Sequence, residues 1–130
     1  YPNNIVHLGM VKDIENAYKC MDIFCLPSWR EGMPRSIVEA MMTRLPTIAT
    51  NIRGCRELVA HEETGYLFEL GENKILYKSL KRLISDKALR LRLGENAYEC
   101  AKELYNERYI LENQTRVLRS LYEKHQLKLM

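Results

Sequence analysis

A chain of 130 residues has room for one domain with a buried core but is small for an enzyme that must hold two substrates, so a second domain is expected beyond it. With 46% hydrophobic and 28% charged residues and no apolar run near the roughly 18 residues of a membrane span, composition excludes both an integral membrane protein and a disordered chain. A net charge of +3 does not support a nucleic-acid partner.

The first residues, Tyr1-Pro2-Asn3-Asn4, have no initiator Met and no signal-peptide pattern and read as a cut through a longer chain. Ile5 to Leu8, closed by Gly9, Ile23 to Leu26, closed by Pro27-Ser28, and Thr47 to Thr50 after Pro46 have the length and bounding residues of strands. Between them, Ile14 to Met21 and Pro34 to about Thr43 are expected to be helical, the second with an apolar stripe of Ile37, Val38, Met41 and Met42. Tyr66 to Phe68 predicts one more strand. From Asn73 onward the pattern is helical, with Asp86 breaking the first helix from a second over Leu89 to Ala101 and a third over Tyr109 to Leu127. Strands alternating with helices imply a parallel sheet covered on both faces. The fold class expected is therefore α/β, a partial Rossmann-like doubly wound parallel sheet of three or four strands, lacking its first two, followed by C-terminal helices.

Cys20, Cys25, Cys55 and Cys100 form no CxxC pair, which fits a reducing cytoplasm and gives no zinc signature. Lys78, Lys81, Arg82, Lys87, Arg90 and Arg92 surround a single acid, Asp86. This cluster reads as a solvated helix face, with a membrane-facing or acceptor-facing patch as the alternative.

The chemistry concentrates between Leu26 and Ala40. The segment leaves the carboxyl end of a predicted strand, crosses a glycine-containing loop and enters a helix with Pro34 near its first position, where proline's fixed φ suits the helix and its missing N–H is no loss. Open α/β sheets bind ligands at that edge, and the unpaired N–H groups of a first helical turn favour a diphosphate. Gly32 lets the backbone come close to a ligand. Glu39 lies on the order of 7 Å into the helix at 1.5 Å per residue, about the distance from a diphosphate to its ribose, and a carboxylate can accept from a vicinal diol. Glu31 lies on the loop side, toward the sugar end of such a ligand. Spacing alone carries no weight, because Glu95 with Glu103 and Glu99 with Glu107 repeat it as solvated helix positions.

These motifs resemble the retaining, group 1 (family 4) glycosyltransferases of the GT-B fold. The resemblance begins at Leu8-Gly9-Met10-Val11 and runs through Asp22 to Ser28 and the Glu31 and Glu39 pair. It continues over Pro46 to Asn51, Gly54 to Val59 and Thr64 to Leu67, nearly the whole chain. It implies a C-terminal donor-binding half over residues 1–104 and a C-terminal helix over 105–130 that packs back toward an acceptor domain. It implies a nucleoside diphosphate sugar as substrate, a UDP-sugar foremost, with no cofactor and no metal. It also places Glu31, the catalytic candidate, on donor-sugar hydroxyls near the reacting face. Glu39 holds the ribose, backbone amides at Met33, Arg35 after Pro34, and Ser36 meet the sugar or diphosphate, and Gly9, Met10 and Val11 lie beside the base.

The activity implied is hexosyl transfer with retention to a hydroxyl of a glycan or polyprenyl-linked acceptor, in bacterial polysaccharide or lipid-linked glycan synthesis. Its place would be the cytoplasm or, peripherally, the inner face of the membrane. A non-catalytic nucleotide-sugar-binding subunit of a split enzyme and a sugar-nucleotide epimerase of the same fold are the alternatives. Arg30 and Arg35 are candidates for part of a cationic pair at the diphosphate. Trp29 has two open readings, cleft wall or packing. His7 reads as a strand or strand-end residue and His61 as a loop residue. Arg44 and Glu62 stand where the family usually has glycine, which predicts strained backbone at both.

Overall fold

The computed structural model describes residues 2–105 and 107–129; the parts of the N-terminal and C-terminal readings that fall on Tyr1, Asn106 and Met130 lie outside them. A 3-10 turn at Pro2–Asn4 is followed by α1 (Ile14–Lys19), β1 (Phe24–Leu26), α2 (Arg35–Met42), β2 (Thr47–Thr50) and α3 (Arg53–Arg56). Then come β3 (Gly65–Phe68), α4 (Asn73–Ser85), α5 (Lys87–Leu104) and α6 (Glu107–Leu129). The three strands are parallel in the order β1-β2-β3, with Phe24 beside Thr47 and Thr47 beside Gly65. This is the α/β, Rossmann-like parallel sheet with following helices that the sequence predicts.

β2 lies in the middle, so all four of its residues are buried, and its two apolar ones face different cores. Ala49 faces Ile37, Met41, Cys55, Leu58, Val59, Ala97 and Ala101. Ile48 faces Tyr66, Phe68, Leu83, Leu89 and Leu93 on the other side. Both faces are covered, as the short apolar strands require. The helix break at Asp86 holds: it ends α4, and its Oδ1 accepts from the N–H of Leu89, at 2.9 Å, to cap α5.

Three expectations change. Ile5 to Leu8 is not a strand among the described residues, and Ile5, Val6 and Leu8 are 77%, 78% and 65% exposed. A strand exists only through a hydrogen-bonded neighbour, and among the described residues none pairs with this run; a short apolar segment has no periodicity that reveals the lack. His7 is accordingly an exposed residue of an unpaired segment. Arg90 also leaves the solvated basic face. Its guanidinium is largely buried, donates to the carbonyls of Leu83 and Ile84 at 2.6 and 3.0 Å, and lies 3.6 Å from Asp22. Pro34 sits one position before α2 rather than inside it, with φ −72° and ψ 103°.

α2 ends in a Schellman motif. The N–H of Leu45 reaches the carbonyl of Ala40 and that of Arg44 reaches Met41, each at 3.0 Å. The motif forces Arg44 to φ 59°, and Glu62 takes φ 66° in its own turn, so both expectations of strain hold. Arg44 is compensated by an ion pair with Glu95 at 2.8 Å and by stacking over Tyr98, with its guanidinium carbon 3.6 Å from the ring centre. Gly94 lets α5 come that close: a Cβ there would overlap the Arg44 carbonyl.

Candidate functional site

The eight residues Pro27–Pro34 connect the carboxyl end of β1 to α2, and three contacts set their path. The Thr50 hydroxyl, at the end of β2, donates to the Ser28 carbonyl at 2.6 Å. Gly54 of α3 lies against the backbone of Glu31 and Gly32. The Tyr105 hydroxyl, at the end of α5, reaches the Met33 sulfur at 3.9 Å. The loop is thus held by the ends of β2, α3 and α5, although most of its side chains face solvent.

Pro34 offers no side chain to cap α2, and the first turn holds no acidic residue, so the N–H groups of Arg35 and Ser36 open at the carboxyl edge of the sheet with no side-chain cap. Beside this terminus lies an open cleft of about 590 Å³, lined by Trp29, Arg30, Glu31, Gly32, Ile52, Arg53 and Glu57. Glu31 is half-buried there, and its negative charge, after burial itself, helps push the Cys55 thiol above its usual pKa. Trp29 is 82% exposed and lines this cleft, with no packing role among the described residues.

Glu39 lies on the second turn of α2, outside the lining of this cleft. It is half-buried, and its Oε2 accepts from the Tyr18 hydroxyl at 3.1 Å; the same hydroxyl is 3.3 Å from the Ser36 carbonyl. Burial first, and then Glu39, push the Tyr18 hydroxyl up to about 12. Gly9, at φ 63°, Met10 and Val11 precede α1 and do not line the cleft. The structure thus gathers Glu31 and Gly32 in the cleft and sets Met33 and Pro34 at the foot of α2. Arg35 and Ser36 fall in its first turn and Glu39 on its second.

Sequence reasoning missed the wall formed by Ile52, Arg53 and Glu57, in which Arg53 Nε lies 3.2 Å from Glu57 Oε1. A four-residue helix leaves no periodicity; the one available signal was position, directly after the carboxyl end of a predicted strand. Missed too was Tyr18, whose place against Glu39 depends on how α1 packs on α2. His61 is structural: its Nδ1 accepts from the Leu67 N–H at 2.9 Å and its ring meets Tyr66 edge-on. A larger hollow of about 790 Å³ runs along α6 between Leu111 and Glu123. Among the described residues α6 alone lines it, no strand end opens into it, and it is not the candidate site.

Comparison with known proteins agrees with this fold. Residues 1–100 match the family described as Glycosyl transferases group 1. The chain is 31% identical over 119 residues to the capsular polysaccharide biosynthesis glycosyltransferase CapM of Staphylococcus aureus, covering 92% of this chain and 30% of CapM. It is 44% identical over 84 residues to the UDP-Gal:alpha-D-GlcNAc-diphosphoundecaprenol alpha-1,3-galactosyltransferase of Escherichia coli, covering 65% of this chain and 22% of that enzyme. The chain therefore spans less than a third of either relative. Among solved structures, Anabaena HepE in complex with UDP superposes with a TM-score of 0.87 at 28% identity, over 92% of this chain and 33% of that one.

Proposed function

This chain belongs to the group 1 family of glycosyl transferases, and from that premise we propose that it carries the donor site of a retaining hexosyltransferase. The donor is a nucleoside diphosphate sugar, a UDP-sugar foremost, and the acceptor is a hydroxyl of a glycan or polyprenyl-diphosphate-linked glycan held by an acceptor domain outside these residues. The observation that carries the reading is the uncapped N-terminus of α2 at the sheet edge, with Glu31 in the cleft beside it and Glu39 on the second turn of the helix. HepE, so similar in fold, was solved with UDP, and the similar E. coli enzyme acts on a diphosphoundecaprenol-linked sugar; both support the substrate classes.

In this reading the diphosphate sits on the N–H groups of Arg35 and Ser36, where the helix dipole favours negative charge. Charge grows on the diphosphate as the glycosidic bond breaks, so those amides, with Arg30 and Arg53 beside the cleft, stabilise the transition state more than the ground state. Arg53, which shares the cleft with Arg30, joins Arg30 and Arg35 as a candidate cation for the diphosphate. Glu31 orients the sugar through its hydroxyls and Glu39 holds the ribose diol. Gly9, Met10 and Val11 lie toward the base.

The test is calorimetric titration of the complete protein with UDP and UDP-glucose. Glu39→Ala is expected to weaken UDP by about 1.5–3 kcal/mol, the usual worth of hydrogen bonds to a charged group. Unchanged affinity would remove Glu39 from the site.

A further inference from the structure

We propose that Tyr18 is a positioning residue for the donor site, holding the Glu39 carboxylate in the orientation that receives the ribose diol; this rests on the donor-site reading above. Tyr18 is 4% exposed, in a helix of only six residues on a surface otherwise largely open to solvent. Its ring packs against Phe24 of β1, with centroids 5.7 Å apart, and against Ala40 and Leu45, so its hydroxyl has one fixed position relative to the sheet. That hydroxyl lies between two groups of α2, the Ser36 carbonyl in the first turn and the Glu39 carboxylate in the second.

Glu39 needs such a partner. It is half-buried on a flexible side chain, and among the described residues Tyr18 is its one side-chain hydrogen-bond donor. A carboxylate has about four acceptor directions on its two oxygens. Tyr18 uses one, on Oε2, and leaves Oε1 and the rest of Oε2 for two vicinal hydroxyls. Fixing the rotamer before the ligand arrives removes an ordering cost from binding. The Ser36 carbonyl, 3.3 Å from the same hydroxyl, shares the hydroxyl's single proton with Glu39 and places that hydroxyl beside the turn whose amides face the diphosphate. One side chain thereby sets the spacing between the ribose and diphosphate contacts.

The experiment compares UDP with 2′,3′-dideoxyuridine diphosphate, which lacks the diol, in the complete protein and its Tyr18→Phe, Glu39→Gln and double variants. Phenylalanine keeps the packed ring, and thermal melting of each variant checks that it folds. Tyr18→Phe is expected to weaken UDP by about tenfold, the scale of one hydrogen bond to a charged group. It should leave the dideoxy compound unchanged and raise the donor KM with little change in kcat. The double variant should bind UDP no worse than Glu39→Gln alone, because both changes break one arrangement. Equal losses for the two ligands, no loss for either, or additive losses in the double variant would overturn the role of Tyr18 while leaving that of Glu39 standing. If Glu39→Gln itself fails to distinguish the ligands, the ribose reading falls, and the Tyr18 proposal with it.

Discussion

Gly54 of α3 lies so close to the Gly32 carbonyl that a methyl group on it would overlap that carbonyl and come within 3.0 Å of the Glu31 carbonyl oxygen. The loop that carries Glu31 is therefore shaped from below by a missing side chain. Gly54→Ala should destabilise by about 1–3 kcal/mol, as overpacking does, and should weaken UDP-sugar binding because the loop must move. Thermal melting and titration check both; a variant unchanged in both would show that the loop yields freely.

Glu31 and Glu39 are expected to separate by function. Glu31→Gln in the complete protein should lower kcat strongly and leave affinity for free UDP nearly unchanged, since the change touches the sugar end alone. Steady-state kinetics and UDP titration decide it. Equal losses in kcat and UDP affinity would move Glu31 to the nucleotide.

The two strained residues should respond differently to glycine. Glu62, at φ 66°, has one long ion pair, 3.5 Å to Arg82 with both side chains more than half exposed, so Glu62→Gly should stabilise by up to about 1 kcal/mol. Arg44→Gly relieves the same strain but loses the Glu95 contact and the stack on Tyr98, and should be near neutral. Denaturant melts of the two variants compare them directly; a larger gain at Arg44 would mean that its contacts contribute nothing.

Alkaline pH should destabilise the fold through Tyr18. Its hydroxyl is raised from 10.0 to about 12 in the folded chain, so its contribution is fully present below pH 10 and is lost as pH rises from there through about 12. The Cys55 thiol, pushed up chiefly by burial, acts with the same sign. Melting temperatures across pH 8 to 11 should fall more steeply for the wild type than for Tyr18→Phe. Parallel curves would show that Tyr18 ionises as readily folded as unfolded.

Much of this architecture is legible in the sequence, for local reasons. Short apolar runs bounded by Pro46 and Gly65, an Asp86 able to cap a helix, and a proline just before Arg35 each act within a few residues, and each element they mark is present. The loop from Leu26 to α2 is legible for the same reason, since a strand end, a glycine and a helix start are consecutive in the chain. The resemblance to group 1 enzymes added roles to residues that spacing could not distinguish from the solvated Glu95 and Glu103.

Tertiary structure alone decided the rest. Whether Ile5 to Leu8 is a strand depends on a neighbour, which the run itself does not encode. That Arg90 serves the end of α4, that Gly54 shapes the Glu31 loop from 22 positions away, and that Tyr18 meets Glu39 across 21 positions all follow from how helices settle on the sheet. Side-chain identity records what a residue can do, but its partner is chosen by packing between elements distant in sequence, which no local pattern specifies.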